Sequence, residues 1–111
     1  MAITAHNIFT DVSASASSGL EQCLTLFENA NVRVERIASN THRSPAGFWY
    51  DQPEDEWVMV LRGQATLEFT DGESVVMRAG DHVTIASHVR HRVRETDAET
   101  IWLAVHVTPQ P

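Results

Sequence analysis

Two residues of this chain have the types and spacing to do chemistry together. Glu56 heads the apolar run Trp57–Leu61, which closes at Gly63 in DQPEDEWVMVLRG. His91 ends the stretch GDHVTIASHVRH, which begins at Gly80. Side chains alternate across a strand, so Val89, His91 and Val93 point one way and Arg90, Arg92 and Arg94 the other. The valines mark the first side as interior. By the same parity Glu56, Val58 and Val60 share a face, and Glu56 meets His91 if that face is also interior. A carboxylate and an imidazole so joined form half of a metal site, or the polar end of a small-molecule pocket. A core histidine bonded to Glu56 with no ligand is the plainer alternative. An inward carboxylate is costly to bury without a partner. The imidazole, a metal or a substrate group would each serve.

Further candidates lie just before Glu56. Phe48, Tyr50 and Gln52 share one side of an expected strand, with Trp49 and Asp51 on the other. Tyr50 carries a hydroxyl that needs a partner if buried, which makes it a better pocket residue than Phe48. His88 stands three before His91, on the opposite strand face, so it could reach a shared ligand only from a loop. His6, His42, His82 and His106 suggest no role; His42 is expected to be solvated, and His106 has the opposite parity to Ile101, Leu103 and Val105. The Arg90, Arg92 and Arg94 stripe reads as a solvated face paired with Glu35 or Glu68, or else as an anion site or subunit contact. No Gly-rich phosphate loop, G-x-S-x-G elbow or HExxH occurs.

The elements that must position these residues are mainly strands. Asn7-Ile8-Phe9 reads as a short extended piece, and Ser13–Ser18 as a loop. Ser18-Gly19-Leu20-Glu21 fits a capping box, and Leu20, Cys23, Leu24 and Phe27 follow at helical spacing, so a helix is expected over 18–29. Cys23 would lie on its buried stripe, where a thiolate nucleophile is disfavoured. From Val32 the period changes to two. Strands are expected around Val32–Val34, Phe48–Gln52, Trp57–Leu61, Ala65–Phe69, Val75–Met77, Val83–Ala86, Val89–Val93 and Ile101–Val107. Turns fall at Asp71-Gly72, Ala79–Asp81 and Thr96–Glu99. Short strands at this spacing predict an all-β sandwich or barrel. Trp57, Met59 and Leu61 would lie on its outside, needing cover from the helix or from a second subunit in a homodimer.

Bulk properties narrow the function classes. The chain has 111 residues, 42% hydrophobic and 21% charged, which suits one globular domain over 1–111 with its barrel core at 32–107 and an N-terminal segment and helix at 1–31. A net charge of −7 and a pI of about 5.2 argue against a nucleic-acid partner. The longest apolar runs have five residues, far short of the roughly 20 that cross a bilayer. The N-terminus lacks a basic start and an apolar stretch, and one cysteine excludes an internal disulfide. A cytoplasmic protein is the expectation.

In spacing and order the chain resembles a small single-domain cupin. That family's first motif runs G-x5-H-x-H-x3-4-E-x6-G, and its second G-x5-P-x-G-x2-H-x3-N. Glu56 and Gly63 match the end of the first; Gly80 and His91 match the second. The resemblance covers roughly residues 32–107 and implies an all-β double-stranded β-helix, the cupin jelly-roll barrel. In cupins two histidines of the first motif, the glutamate and the second motif's histidine bind a divalent metal. Tyr50 and Gln52 stand at the two first histidine positions; Ser44, Ala86, His88 and Glu95 replace other motif residues. Only Glu56 and His91 carry over as ligands.

Two functions follow as expectations. In one, the barrel binds a small polar or aromatic metabolite, with Tyr50, Gln52, Glu56, His91 and Phe48 as pocket residues and metal binding weak or absent. In the other, Glu56, His91 and Gln52 hold Fe, Mn, Ni or Zn for a dioxygenase, isomerase or decarboxylase reaction. A metal-free enzyme would use Glu56 as general base, its protonation set by His91.

Overall fold

The computed structural model describes residues 2–12 and 18–109. Among the described residues eight strands carry the fold: β1 (Glu21–Glu28), β2 (Val32–Ser39), β3 (Asp55–Arg62), β4 (Gln64–Phe69), β5 (Ser74–Arg78), β6 (His82–Ile85), β7 (His91–Thr96) and β8 (Thr100–Val107). They form a five-stranded sheet ordered β1-β2-β8-β3-β6 and a three-stranded sheet ordered β5-β4-β7. All pairings within both sheets are antiparallel. This is the jelly-roll barrel that the resemblance implies. No helix of the described residues is long and apolar enough to cross a membrane.

Strand parity builds the core. Val58 and Val60 of β3, Trp102 and Ala104 of β8 and Ile85 of β6 meet Ala65 and Leu67 of β4, Met77 of β5 and Val93 of β7. Trp57, Met59 and Leu61 take the other face of β3 and are half-buried. Burying these apolar surfaces between two sheets is the main stabilising term. The indole of Trp102 keeps its polar atom satisfied by donating to Ser39 Oγ at 3.1 Å. Gly63 makes the tight turn from β3 to β4 at φ +86°, and a Cβ there would stand 2.5 Å from Thr100 Oγ1 and 2.8 Å from Thr100 Cα.

The expected helix over 18–29 is a strand instead. Residues 21–28 pair antiparallel with β2, from Glu21 opposite Ser39 to Glu28 opposite Arg33, with a bulge between Thr25 and Phe27. Ser18 does not cap a helix; its Oγ lies 2.9 Å from Thr41 Oγ1. The apolar residues that fit a helical stripe also fit a two-sided strand, and one face cannot distinguish them locally. An isolated helix this short is marginal, whereas the edge of β2 offers a full ladder of backbone partners.

Two other expectations change. Asn7–Thr10 is a turn, closed by Thr10 N donating to Asn7 O at 3.0 Å and Phe9 N to Asn7 Oδ1 at 2.8 Å. Arg36, buried on the sheet's outer side, donates to the Ile8 and Thr10 carbonyls and ties this segment down. Around Phe48–Gln52 only a single bridge, Tyr50 to His91, replaces the expected strand. Of the Ser13–Ser18 loop, all but Ser18 lies outside the described residues.

Candidate functional site

Four strands bring four ionisable side chains into one line. β3 carries Glu56, and its partner across the β3–β8 ladder is His106. β2 pairs Glu35 with Ala104, so Glu35 sits diagonally beside His106 on the same face. The facing sheet contributes His91 from β7. His91 Nε2 lies 3.6 Å from Glu56 Oε1. His106 Nε2 lies 3.9 Å from Glu56 Oε2 and 3.0 Å from Glu35 Oε1. The order is therefore Glu35, His106, Glu56, His91, with carboxylate and imidazole alternating. Glu56, His91 and His106 are all buried.

Hydrogen bonds set the tautomers. His91 Nδ1 lies 2.9 Å from the Val89 carbonyl, which can only accept, so Nδ1 carries a proton. Nε2 is then the nitrogen that titrates, and it faces Glu56. Burial disfavours the charged imidazole, but the Glu56 carboxylate and the Val89 carbonyl outweigh it and raise the His91 pKa above 6.5. His106 donates through Nε2 to Glu35, and its buried Nδ1 has no partner among the described residues.

The four residues border a cavity of about 130 Å³, large enough for several waters or one compact organic molecule. Ile37, Val58, Leu67, Ile85, Val93 and Trp102 make an apolar wall. Tyr50 and Gln52 line it as expected from the sequence. The Tyr50 ring stacks on His91 with centroids 5.4 Å apart and planes 26° from parallel. Its backbone bonds His91 in both directions, at 2.7 and 3.2 Å. Burial pushes the Tyr50 hydroxyl up to about 12, with Glu21, Cys23 and Glu56 adding to the effect. Phe48 packs edge-on against Tyr50 at 4.9 Å, is substantially exposed, and is not among the residues bordering the cavity.

β1 adds residues that the helix expectation hid. Glu21 and Cys23 border the cavity. Cys23 is exposed rather than on a buried stripe. Partial desolvation of its sulfur, then the nearby Glu21 and Glu35, push its thiol up to about 11, which disfavours a thiolate. Burial raises the Glu21 carboxyl, and His42 opposes this from 2.8 Å. His42 is thus held between Glu21 and the Gly19 carbonyl, not free in solvent. His88 remains outside: it is exposed, at φ +63°, 2.7 Å from Asp51 Oδ1. Arg92 meets Glu68 at 3.8 Å and the Trp49 ring at 5.6 Å, while Glu35 turns inward to His106.

Sequence reasoning missed His106 and Glu35. In IWLAVHV both strand faces are apolar, and taking Ile101, Leu103 and Val105 as interior turned His106 outward. The structure buries Trp102, Ala104 and His106 together. In β2 the alternation of Val32 and Val34 with Arg33 and Glu35 assigned no inner face, and Arg33, Glu35 and Ile37 border the cavity. A usable signal was present: the wide, hydrogen-bonding Trp102 shares parity with His106.

These residues do not fit a tightly held metal. Among the described residues no three His, Cys, Asp or Glu side chains are placed to bind one ion. Gln52 is a neutral oxygen donor, and Tyr50 ligates only as a phenolate, which its raised pKa opposes.

Comparison with known proteins agrees with the geometry. A profile for the cupin domain matches residues 34–106. A Ralstonia eutropha JMP134 protein, provisionally assigned as a mannose-6-phosphate isomerase, is 42% identical; the match covers 96% of this chain and 100% of that one, with a TM-score of 0.86. A cupin superfamily protein from Desulfitobacterium hafniense DCB-2 is 14% identical over 85% of this chain and 83% of its own, with a TM-score of 0.73. KdgF from a Halomonas species is 14% identical over 81% and 82%, with a TM-score of 0.67. These last two likenesses show the fold alone. Comparison with curated proteins found no match. With the profile spanning most of the chain, a closely similar relative and a jelly-roll barrel in hand, the chain belongs to the cupin family.

Proposed function

We propose that this cupin binds a small polar or aromatic metabolite in its barrel cavity without a tightly held metal. The observation that carries this reading is the cavity itself: an apolar chamber with the Glu35–His106–Glu56–His91 line along one side, buried except for the half-buried Glu35. Buried polar groups are costly unless they are used, and a pocket with few convergent polar groups is the usual form of a ligand site. Glu56 and His91 anchor the ligand's polar end, and Tyr50 and Trp102 border its body.

A small-metabolite library screened by thermal shift tests this. A compound that raises the unfolding midpoint of the wild type, but not of Glu56→Gln or His91→Gln, is the expected result. Hits indifferent to both substitutions would place binding elsewhere. Metal analysis of protein purified without chelators should find far less than one iron, manganese, nickel or zinc per chain, unchanged in His91→Ala. Near-stoichiometric metal lost in that variant would restore the metalloenzyme reading.

One observation favours a second reading, acid–base catalysis. Glu56 lies between two imidazoles, and His91 Nε2 can take or return a proton beside it. An isomerisation that moves a proton between neighbouring atoms needs such a base and acid. Glu56 would then be the general base, with His91 setting its protonation.

The same proposal extends to assembly as a homodimer. β1 lies at a sheet edge, and Leu24, Leu26 and Phe27 on it are exposed. A long apolar edge strand is a template for pairing, and a second copy of this chain would cover it.

A further inference from the structure

The cavity's charge is lopsided, and this specifies the ligand more closely. Three carboxylates border it, Glu21 (paired with His42 at 2.8 Å), Glu35 and Glu56, against one guanidinium, Arg33. Arg33 is already committed: its Nη1 lies 2.8 Å from Glu54 Oε2, and its Nε 3.6 Å from Glu35 Oε1. The two imidazoles are committed as well. The Nδ1 proton of His91 goes to Val89 O, and the Nε2 proton of His106 goes to Glu35. The chain as a whole carries −7, so the background field has the same sign.

Glu56 is the side chain left wanting. It is 7% exposed, and the nearest side-chain nitrogens, His91 Nε2 and His106 Nε2, stand at 3.6 and 3.9 Å. Both distances are beyond good hydrogen-bond range. A buried carboxylate beside a chamber of this size lacks a close donor that an incoming molecule can supply. The neighbouring groups register the same field: carboxylates contribute to the raised Tyr50 and Cys23 pKa values, after burial.

We propose that the ligand is cationic: a small molecule with a protonated amine that docks on Glu56 between His91 and His106, its short apolar body lying along Val58, Ile85 and Trp102. A charge-assisted N–H to a buried carboxylate is among the stronger polar contacts available. Anions are selected against. A sugar phosphate would bring close to two negative charges to three carboxylates, with no uncommitted cation to receive them. Recognition by this chain therefore differs from what the provisional assignment of its Ralstonia relative would suggest.

This inference rests on the cavity being the ligand site, and a matched probe set separates the two claims. Benzylamine, benzyl alcohol, benzoate and mannose 6-phosphate are titrated into ¹⁵N-labelled protein, with shifts followed at Val58, Ile85, His91 and Trp102. The expected result is saturable binding of benzylamine at these positions, at least about tenfold tighter than benzoate, the difference one charged hydrogen bond supplies. Glu56→Gln should remove that preference while the rest of the spectrum stays folded. Glu35→Gln, which leaves Glu56 in place, should weaken amine binding less. Benzoate or mannose 6-phosphate binding at these positions as tightly as the amine would overturn the cationic assignment and leave the cavity site standing. No cavity shift with any probe would overturn the cavity site and this inference with it.

Discussion

His91 offers the cavity one nitrogen, because Val89 O occupies the other. The proton on Nε2 is therefore shared only with Glu56 and whatever enters. Its pKa is raised in the folded protein, so folding is favoured more when His91 is protonated. That contribution is fully present below the unfolded value of 6.5 and is lost as pH rises through the higher folded value. NMR titration of the imidazole should place its midpoint above 6.5, and Glu56→Gln should lower it. In denaturant unfolding, the stability lost on Glu56→Gln should be larger at pH 6 than at pH 8. A gap that widens toward pH 8 would contradict the Glu56–His91 coupling.

At the scale of elements, the site depends on how β3 leaves and β8 returns. Gly63 ends β3 in a left-handed conformation, and Thr100 opens β8 against it. Thr100 Oγ1 also donates to Asp97 O at 2.9 Å, so it has little freedom to move aside. Gly63→Ala adds backbone strain and a clash with the Thr100 Cα. It should cost about 2 kcal/mol or more, read as a lower urea midpoint with an unchanged slope. The register that sets Glu56 opposite His106 lies toward the other end of the same β3–β8 pair. This glycine was visible in the sequence as the end of a motif; its steric reason was not. β1 teaches the converse. Leu20, Cys23, Leu24 and Phe27 satisfy a helical stripe, but strand or helix was settled by the free edge of β2, which lies outside the window that periodicity can read.

For the molecule as a whole, β1 is also the most exposed apolar element. Its residues Leu24 and Leu26 are each 45% exposed, and Phe27 57%. Light scattering coupled to size exclusion should give twice the chain mass. Leu24→Glu with Leu26→Glu should shift it to one chain mass with the fold retained by circular dichroism. A monomer in the wild type would remove the dimer proposal without touching the cavity, because the core between the sheets does not depend on a partner.

Alternation and turn chemistry, both local, were enough to predict an all-β sandwich or barrel, the turns at Asp71-Gly72 and Ala79–Asp81, and the shared face of His91 and Val93, which is buried, although Val89, expected on that face, is exposed and precedes β7. Family spacing then singled out Glu56 and His91, and Tyr50 and Gln52 as the departures beside them. Local pattern could not choose the inner face of β8, since IWLAVHV is apolar on both, nor that of β2, where an ionic inner face inverts the usual rule. Only strand pairing decided those. Register across β2, β8 and β3 is a long-range property, fixed by which face buries Trp102 and Ala104 in the common core. Once that face is inside, His106 and Glu35 must come with it, and a pair of residues becomes a line of four around a negatively charged cavity.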